Sequence, residues 1–209
     1  MPLLLLAATY LLGSVPFAVV VAQARGVDIR SVGSRNPGAH NVMTQVGRGW
    51  GWLVAALDFF KGVLPVLMGR LLNYDEGWQL ALGSAAMLGH ITSPFLGGRG
   101  GKGQSTGFGM LIALYPIGSI VGIVLGLSVL RLTRVVVLSA LVAASIIFVI
   151  ALLQAQAAAI VISPFVVIGL GLLATLPDAL ALMRRHGGVG SALKAWRGGK
   201  EHDNDEAPP

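Results

Sequence analysis

The stretch Gly97-Gly98-Arg99-Gly100-Gly101-Lys102-Gly103-Gln104-Ser105-Thr106 sets five glycines and two cations inside an otherwise strongly apolar sequence. Glycines without side chains let successive main-chain N–H groups converge on an anion, and Arg99 and Lys102 supply charge. The chemistry that suits this spacing is oxyanion binding, phosphate above all. It is not a Walker loop, because Lys102 is followed by Gly103 rather than by Ser or Thr, and no strand is expected before it. Lys102 is the strongest candidate for contact with an anionic substrate. The bland alternative is a charge that merely marks a turn. A second loop, Gly33-Ser34-Arg35-Asn36-Pro37-Gly38-Ala39-His40-Asn41, repeats the pattern with the hydroxyl of Ser34 and the amides of Asn36 and Asn41. Gly33 and Gly38 let the backbone approach a ligand closely. Two such loops in one small chain point to chemistry on a phosphorylated substrate.

Asp58 and Lys61 stand three residues apart in an apolar run, hence on one helical face. Ionisable groups in lipid are costly and either pair or line a polar cavity. The pair therefore reads either as a structural bridge or as Lys61 near a substrate phosphate with Asp58 holding it. His90 follows Gly89 near the end of a run and reads first as a packing residue. His186 lies among basic residues, where lipid headgroup contact is the alternative, and His40 is the weakest candidate. No carboxylate stands with a histidine and Ser34 at a recognisable spacing, so a Ser–His–Asp triad is unsupported. No cluster has metal-ligand spacing, and the expectation is neither metal nor cofactor. With no Cys, disulfides and cysteine nucleophiles are excluded.

The elements that must position these residues are membrane helices. Of 209 residues, 55% are hydrophobic and 11% charged, where a soluble domain carries about 25% charged residues. Mean hydropathy is +0.77. The fold class expected is all-α, a polytopic integral membrane bundle. The net charge of +6 marks cytoplasmic loops in so apolar a chain and implies no nucleic acid. Apolar runs fall at 2–24, 50–72, 78–96, 104–130, 135–153 and 157–183, several near the length of a spanning helix. The run 104–130 contains Tyr115-Pro116, and the residue before proline disfavours helix. Splitting it there puts Arg131, Arg134, Arg184, Arg185, Lys194, Arg197 and Lys200 on the same side as Arg25, Arg30, Arg35, Arg48, Arg99 and Lys102. The charge bias then gives about seven helices, N-terminus out and C-terminus in, with two short middle helices. Ala22-Gln23-Ala24 resembles a signal-peptidase site, but no basic residue precedes the run and Gly13-Ser14-Val15-Pro16 breaks it, so a retained first helix is expected. Trp50, Trp52 and Trp78 read as interfacial anchors. Residues 1–200 read as one transmembrane domain and 201–209 as a disordered polar tail.

Several motifs in register resemble the bacterial acyl-phosphate:glycerol-3-phosphate acyltransferases. They are Gly13-Ser14-Val15-Pro16, Asp28-Ile29-Arg30, the 33–42 loop, Leu57-Asp58-Phe59-Phe60-Lys61-Gly62, Leu64-Pro65-Val66, Gly89-His90-Ile91 and Arg99 to Thr106. The resemblance covers roughly the N-terminal half. It implies a multi-pass enzyme of the bacterial inner membrane, with seven helices and active-site loops facing the cytoplasm. Such an enzyme moves a fatty acyl group from acyl phosphate to the 1-hydroxyl of sn-glycerol 3-phosphate, giving lysophosphatidic acid and phosphate in phospholipid biosynthesis. Its partners are those two substrates and membrane lipids, and a monomer is expected. Lys102 and Ser34 are the candidate catalytic residues. Asn36, Gly38, Asn41, Lys61, His90, Arg99, Gly100, Gly101, Gly103, Thr106 and His186 are candidates for substrate binding.

The chain departs from the family pattern at functional positions. Arg35 and His40 stand where the family usually has Gly and Thr. Thr44 replaces a phosphate-binding Arg, whose charge Arg35 or Arg48 can supply. Val189 stands where an Asn follows His186. The alternatives are a divergent member with another acceptor or donor, or a non-catalytic binder of lipid phosphate. A small-anion transporter is more distant, since no inverted repeat of broken helices is visible.

Overall fold

The computed structural model describes residues 2–185, so His186, Val189 and the tail at 201–209 lie outside the described residues. Every described element is helical: α1 (Pro2–Ser14), α2 (Phe17–Gln23), α3 (Ala39–Gln45), α4 (Arg48–Leu71), α5 (Glu76–Ile91), a 3-10 turn at Pro94–Leu96, α6 (Gln104–Leu114), α7 (Pro116–Thr133), α8 (Val136–Leu153) and α9 (Ala158–Arg185). Among the described residues, four stretches are long and apolar enough to cross a membrane: Pro2–Gln23, Arg48–Leu71, Pro116–Thr133 and Ala158–Ala181. The chain divides into two compact units, residues 1–171 and 172–209. In the second, the described residues belong to α9.

Prolines set the breaks that matter. Pro16 has no N–H to give and ends α1, so carbonyls at the break need partners from elsewhere. Ser93 Oγ donates to Ser14 O at 2.6 Å, and Lys61 Nζ donates to Val15 O. The break in the first span is thus paired by side chains from α4 and from the segment after α5. The same logic splits the run 104–130 at Pro116. Tyr115 lies between α6 and α7 at φ −142°, ψ 79°, outside the helical region. Its hydroxyl donates to Gln154 Oε1 at 2.5 Å, and Ser119 Oγ donates to Leu111 O at 2.8 Å, sealing the junction.

The expectation of two short middle helices is corrected for one of them. α6 has 11 residues, about 16 Å at 1.5 Å per residue. α7 has 18, because Pro116 is favourable at its start and the helix continues through Arg131 to Thr133. The run 78–96 also ends early as helix, at Ile91, and its last residues form the 3-10 turn begun by Pro94.

Close crossings rely on missing side chains, as helix packing in lipid favours. A Cβ at Gly62 of α4 would overlap the Thr106 carbonyl of α6, and one at Gly109 of α6 would overlap the Phe59 carbonyl of α4. Arg70 then caps the far end of α6, Nη2 donating to Ala113 O at 2.8 Å. α4 and α6 therefore run side by side in the same direction, which puts the start of α6 beside Asp58, well inside the length of α4.

Candidate active site

The loop at 33–38 is shaped by a side chain that comes after it. Asn41 is buried, and its Nδ2 donates to Ile29 O at 3.0 Å and Val32 O at 3.1 Å. Its Oδ1 accepts the Ser34 N–H at 3.1 Å. The reading of 33–41 as continuous loop is corrected here, since Ala39–Gln45 form α3 and His40 and Asn41 lie in its first turn. Gly38, extended at φ −140°, ψ 167°, precedes that helix. Gly33 (φ +56°) and Arg35 (φ +57°) both turn through the left-handed region. A Cβ at Gly33 would also overlap Asn41 Oδ1, so that glycine is required twice over. Arg35 bears the ordinary penalty of an L residue there, about 1–2 kcal/mol. Ser34, Arg35 and His40 are exposed and Asn36 is half-buried. The Thr44 hydroxyl donates to Asn41 O at 3.0 Å, within its own helix.

The glycine-rich loop is held by main chain instead. Gly98 N–H donates to Ser93 O at 2.9 Å, Gly100 N–H to Ile91 O at 2.8 Å and Gly101 N–H to His90 O at 3.1 Å. The expected convergence of glycine N–H groups on an anion is therefore corrected, because three of them pair with carbonyls at and just past the end of α5. What remains for an anion is the start of α6. Gly103 (φ +74°) opens that helix, whose first N–H groups have no partner within the helix. That end carries positive partial charge and suits a phosphate. Lys102 stands immediately before it, half-buried, while Arg99 is exposed.

Beneath the loop lies a buried polar cluster. Asp58 Oδ1 accepts from Lys61 Nζ at 2.7 Å. Lys61 is 2% exposed, donates also to Val15 O and sits 4.5 Å from the centre of the Phe17 ring. Both of its polar contacts build the scaffold, and Lys61 also lines the cavity described next. His90 Nδ1 lies 3.6 Å from Asp58 Oδ1. Thr106, fully buried, donates from Oγ1 to Asp58 O at 2.9 Å and so ties α6 to α4. A small cavity is lined by Val15, Pro37, Asp58, Lys61, His90 and Gly101 among others, and both loops reach it, through Pro37 and Gly101.

The structure thus brings together Gly101, Lys61, His90 and, through Pro37, the edge of the 33–38 loop. Asn41 and Thr106 are buried as ties within the scaffold, and His186 lies outside the described residues. One residue was missed from sequence, and one was read only in part. Ser93 serves the α1 break, for which the signal was a hydroxyl just before Pro94. Asp58 was read only through Lys61, although its spacing gave no hint of His90.

The sequence model of the family described as "Glycerol-3-phosphate acyltransferase" matches residues 3–186. Glycerol-3-phosphate acyltransferase 1 of Deinococcus radiodurans is 47% identical over 134 residues, 64% of this chain and 68% of that protein. A glycerol-3-phosphate acyltransferase of Geotalea daltonii is 39% identical over 162 residues, 77% of this chain and 84% of that one. Two crystal structures of PlsY (YgiH), an integral membrane glycerol 3-phosphate acyltransferase, share the fold. The glycerol 3-phosphate form gives a TM-score of 0.75 at 31% identity, covering 88% of this chain and 92% of that one. The lysophosphatidic acid form gives 0.72 at 28%, covering 92% and 98%.

Proposed function

The chain belongs to the glycerol-3-phosphate acyltransferase family, and from that premise we propose how it works. It is an integral membrane enzyme that transfers a fatty acyl group to the 1-hydroxyl of sn-glycerol 3-phosphate and forms lysophosphatidic acid. The donor in this reading is acyl phosphate. The glycerol hydroxyl oxygen attacks the acyl carbonyl carbon, the bond from that carbon to the phosphate oxygen breaks, and inorganic phosphate leaves. The hydroxyl proton passes to a substrate phosphate oxygen, so no protein base is needed. An acyl phosphate is a mixed anhydride with a good leaving group, and positioning with charge neutralisation supplies the catalysis.

The observation that carries this reading is the meeting of the two loops over one cavity, with Lys102 at the start of α6. Lys102 and the α6 N-terminus hold the phosphate that develops charge, and Arg99 adds to the field. Ser34 and Asn36 orient the acceptor, and Arg35 in the same loop supplies the cation that Thr44 lacks. Gly38, Gly100, Gly101 and Gly103 shape the backbone of the site. Asn41 and Thr106 hold the loop and helix in place. His186 stays a candidate substrate contact. No cofactor is required.

Residues 1–200 act as one transmembrane domain of seven crossings, counting α1–α2 as one and then α4 to α9, with 201–209 as a tail. The split at Pro116 supports an outside N-terminus and an inside C-terminus, because it gathers the basic loops on one side. The active-site loops then face the cytoplasm from the inner membrane, and the enzyme acts as a monomer. The test is phosphate release by detergent-purified protein given palmitoyl phosphate, with and without glycerol 3-phosphate, beside Lys102→Ala. Acceptor-dependent release with lysophosphatidic acid formed, lost in the variant, is expected. Release from folded protein that ignores glycerol 3-phosphate would point to another acceptor, and no release to a binder.

A further inference from the structure

Gly101 packs against the imidazole of His90, and a Cβ added there would overlap Nε2 of that ring. Gly100 is closed off differently, since its Cβ would run into the main-chain carbonyl of His90. The ring has little room to yield. It is 9% exposed and lies 3.6 Å from Asp58, whose carboxylate Lys61 holds at 2.7 Å. Lys61 is itself anchored on the Val15 carbonyl at the break in the first span. The Gly101 N–H returns to His90 O at 3.1 Å. One residue therefore limits the loop with its side chain and pins it with its main chain. Lys102 follows directly, and α6 begins at Gln104.

We propose that His90 is a positioning residue, a spacer whose size sets where the glycine loop ends and hence where Lys102 and the start of α6 meet phosphate. This rests on the acyl-transfer reading for its consequence, though not for its geometry. Asp58 and Lys61 serve as the clamp that keeps the ring in place. The proposal gives Lys61 and His90 a part in building the loop as well as in lining the cavity. It also explains why a buried ion pair is kept here despite its desolvation cost, since the pair fixes one arrangement of the loop.

The decisive experiment is an exchange of volume between the two partners. Gly101→Ala and Gly100→Ala are each made alone and with His90→Ser. Two readouts are taken: kcat and KM for glycerol 3-phosphate, and the maleimide labelling rate of one cysteine placed at exposed Gln104. The chain has no other cysteine to interfere. Gly101→Ala is expected to lower kcat/KM about 100-fold, as a misplaced catalytic group does, and to change the labelling rate at least severalfold. Adding His90→Ser recovers about tenfold of kcat/KM and returns the labelling rate toward that of the parent, because coupled neighbours are not additive. The same trimming leaves Gly100→Ala unrescued, since its clash is with main chain. If Gly101→Ala alone does not fold, the comparison is read as recovery of monodisperse protein by His90→Ser. Failure of His90→Ser to rescue Gly101→Ala, or equal rescue of Gly100→Ala, overturns the proposal. Should the parent protein transfer no acyl group to glycerol 3-phosphate, the acyl-transfer reading falls while the labelling cycle still decides the spacer.

Discussion

The two glycine-bearing loops reach the same cavity but are built on opposite plans. The loop at 33–38 takes its shape from one side chain, the Asn41 amide, which bonds three main-chain groups. The loop at 97–103 takes its shape from its own main chain, paired with carbonyls around the end of α5. A loop templated by a side chain collapses with one substitution. A loop paired by backbone keeps its form when its side chains change, and only added volume disturbs it. The lesson is that one loop rests on a side-chain amide and the other on main-chain pairing.

The largest expected effect comes from Lys102→Ala, which removes charge from a loop that keeps its shape. Catalytic efficiency should fall about 10²–10³-fold, with a smaller drop in melting temperature in detergent than Asn41→Ala gives. A matching loss of stability would show that the side chain also builds the loop, and the contrast would fail. Next is Asn41→Ala, where activity and stability should fall together, the latter by about 3 kcal/mol as buried groups lose partners. Thermal unfolding alongside phosphate release reads both, and a folded, active variant would show that the template is dispensable. Ser93→Ala leaves the buried Ser14 carbonyl without its partner. It should cost about 1–2 kcal/mol, seen as a lower melting temperature with KM little altered. Smallest is Arg35→Gly, which relieves the left-handed backbone and should stabilise by about 1 kcal/mol. A simultaneous rise in KM for glycerol 3-phosphate would assign Arg35 its proposed charge role, and an unchanged KM would leave Thr44 uncompensated.

Much of the architecture was legible because it depends on local signals. The apolar runs mark the long helices, and Tyr115-Pro116 with the distribution of Arg and Lys marks the division between α6 and α7. α3 escaped because its seven residues mix polar and apolar types and are too few to show a helical stripe. The spacing in Gly97 to Gly103 is ambiguous by itself. Glycines permit both an anion cradle and a loop folded back on a neighbouring helix, and the carbonyls that decide between them exist only once α5 has ended at Ile91. Asn41 and His90 share that difficulty. Each was noticed as a polar residue in a telling motif, but whether it faces a ligand or the scaffold depends on partners remote in sequence. The pairing of Asp58 with Lys61 was readable from a three-residue spacing, and its reach to His90 was not.

The break at Pro16 also bears on how the protein is made. The carbonyl of Val15 finds its ammonium 46 residues later, and that of Ser14 finds its hydroxyl 79 residues later. During synthesis the first span reaches the bilayer before either partner has left the ribosome, since chains emerge N-terminus first. Until then the Val15 carbonyl has only the Phe17 N–H at 3.1 Å, and the Ser14 carbonyl must stay hydrated or keep that segment near the headgroups. Settling of the nascent first span is thus tied to arrival of the segment after α5, so a stall in translation before residue 93 leaves an incompletely seated intermediate for membrane quality control to meet.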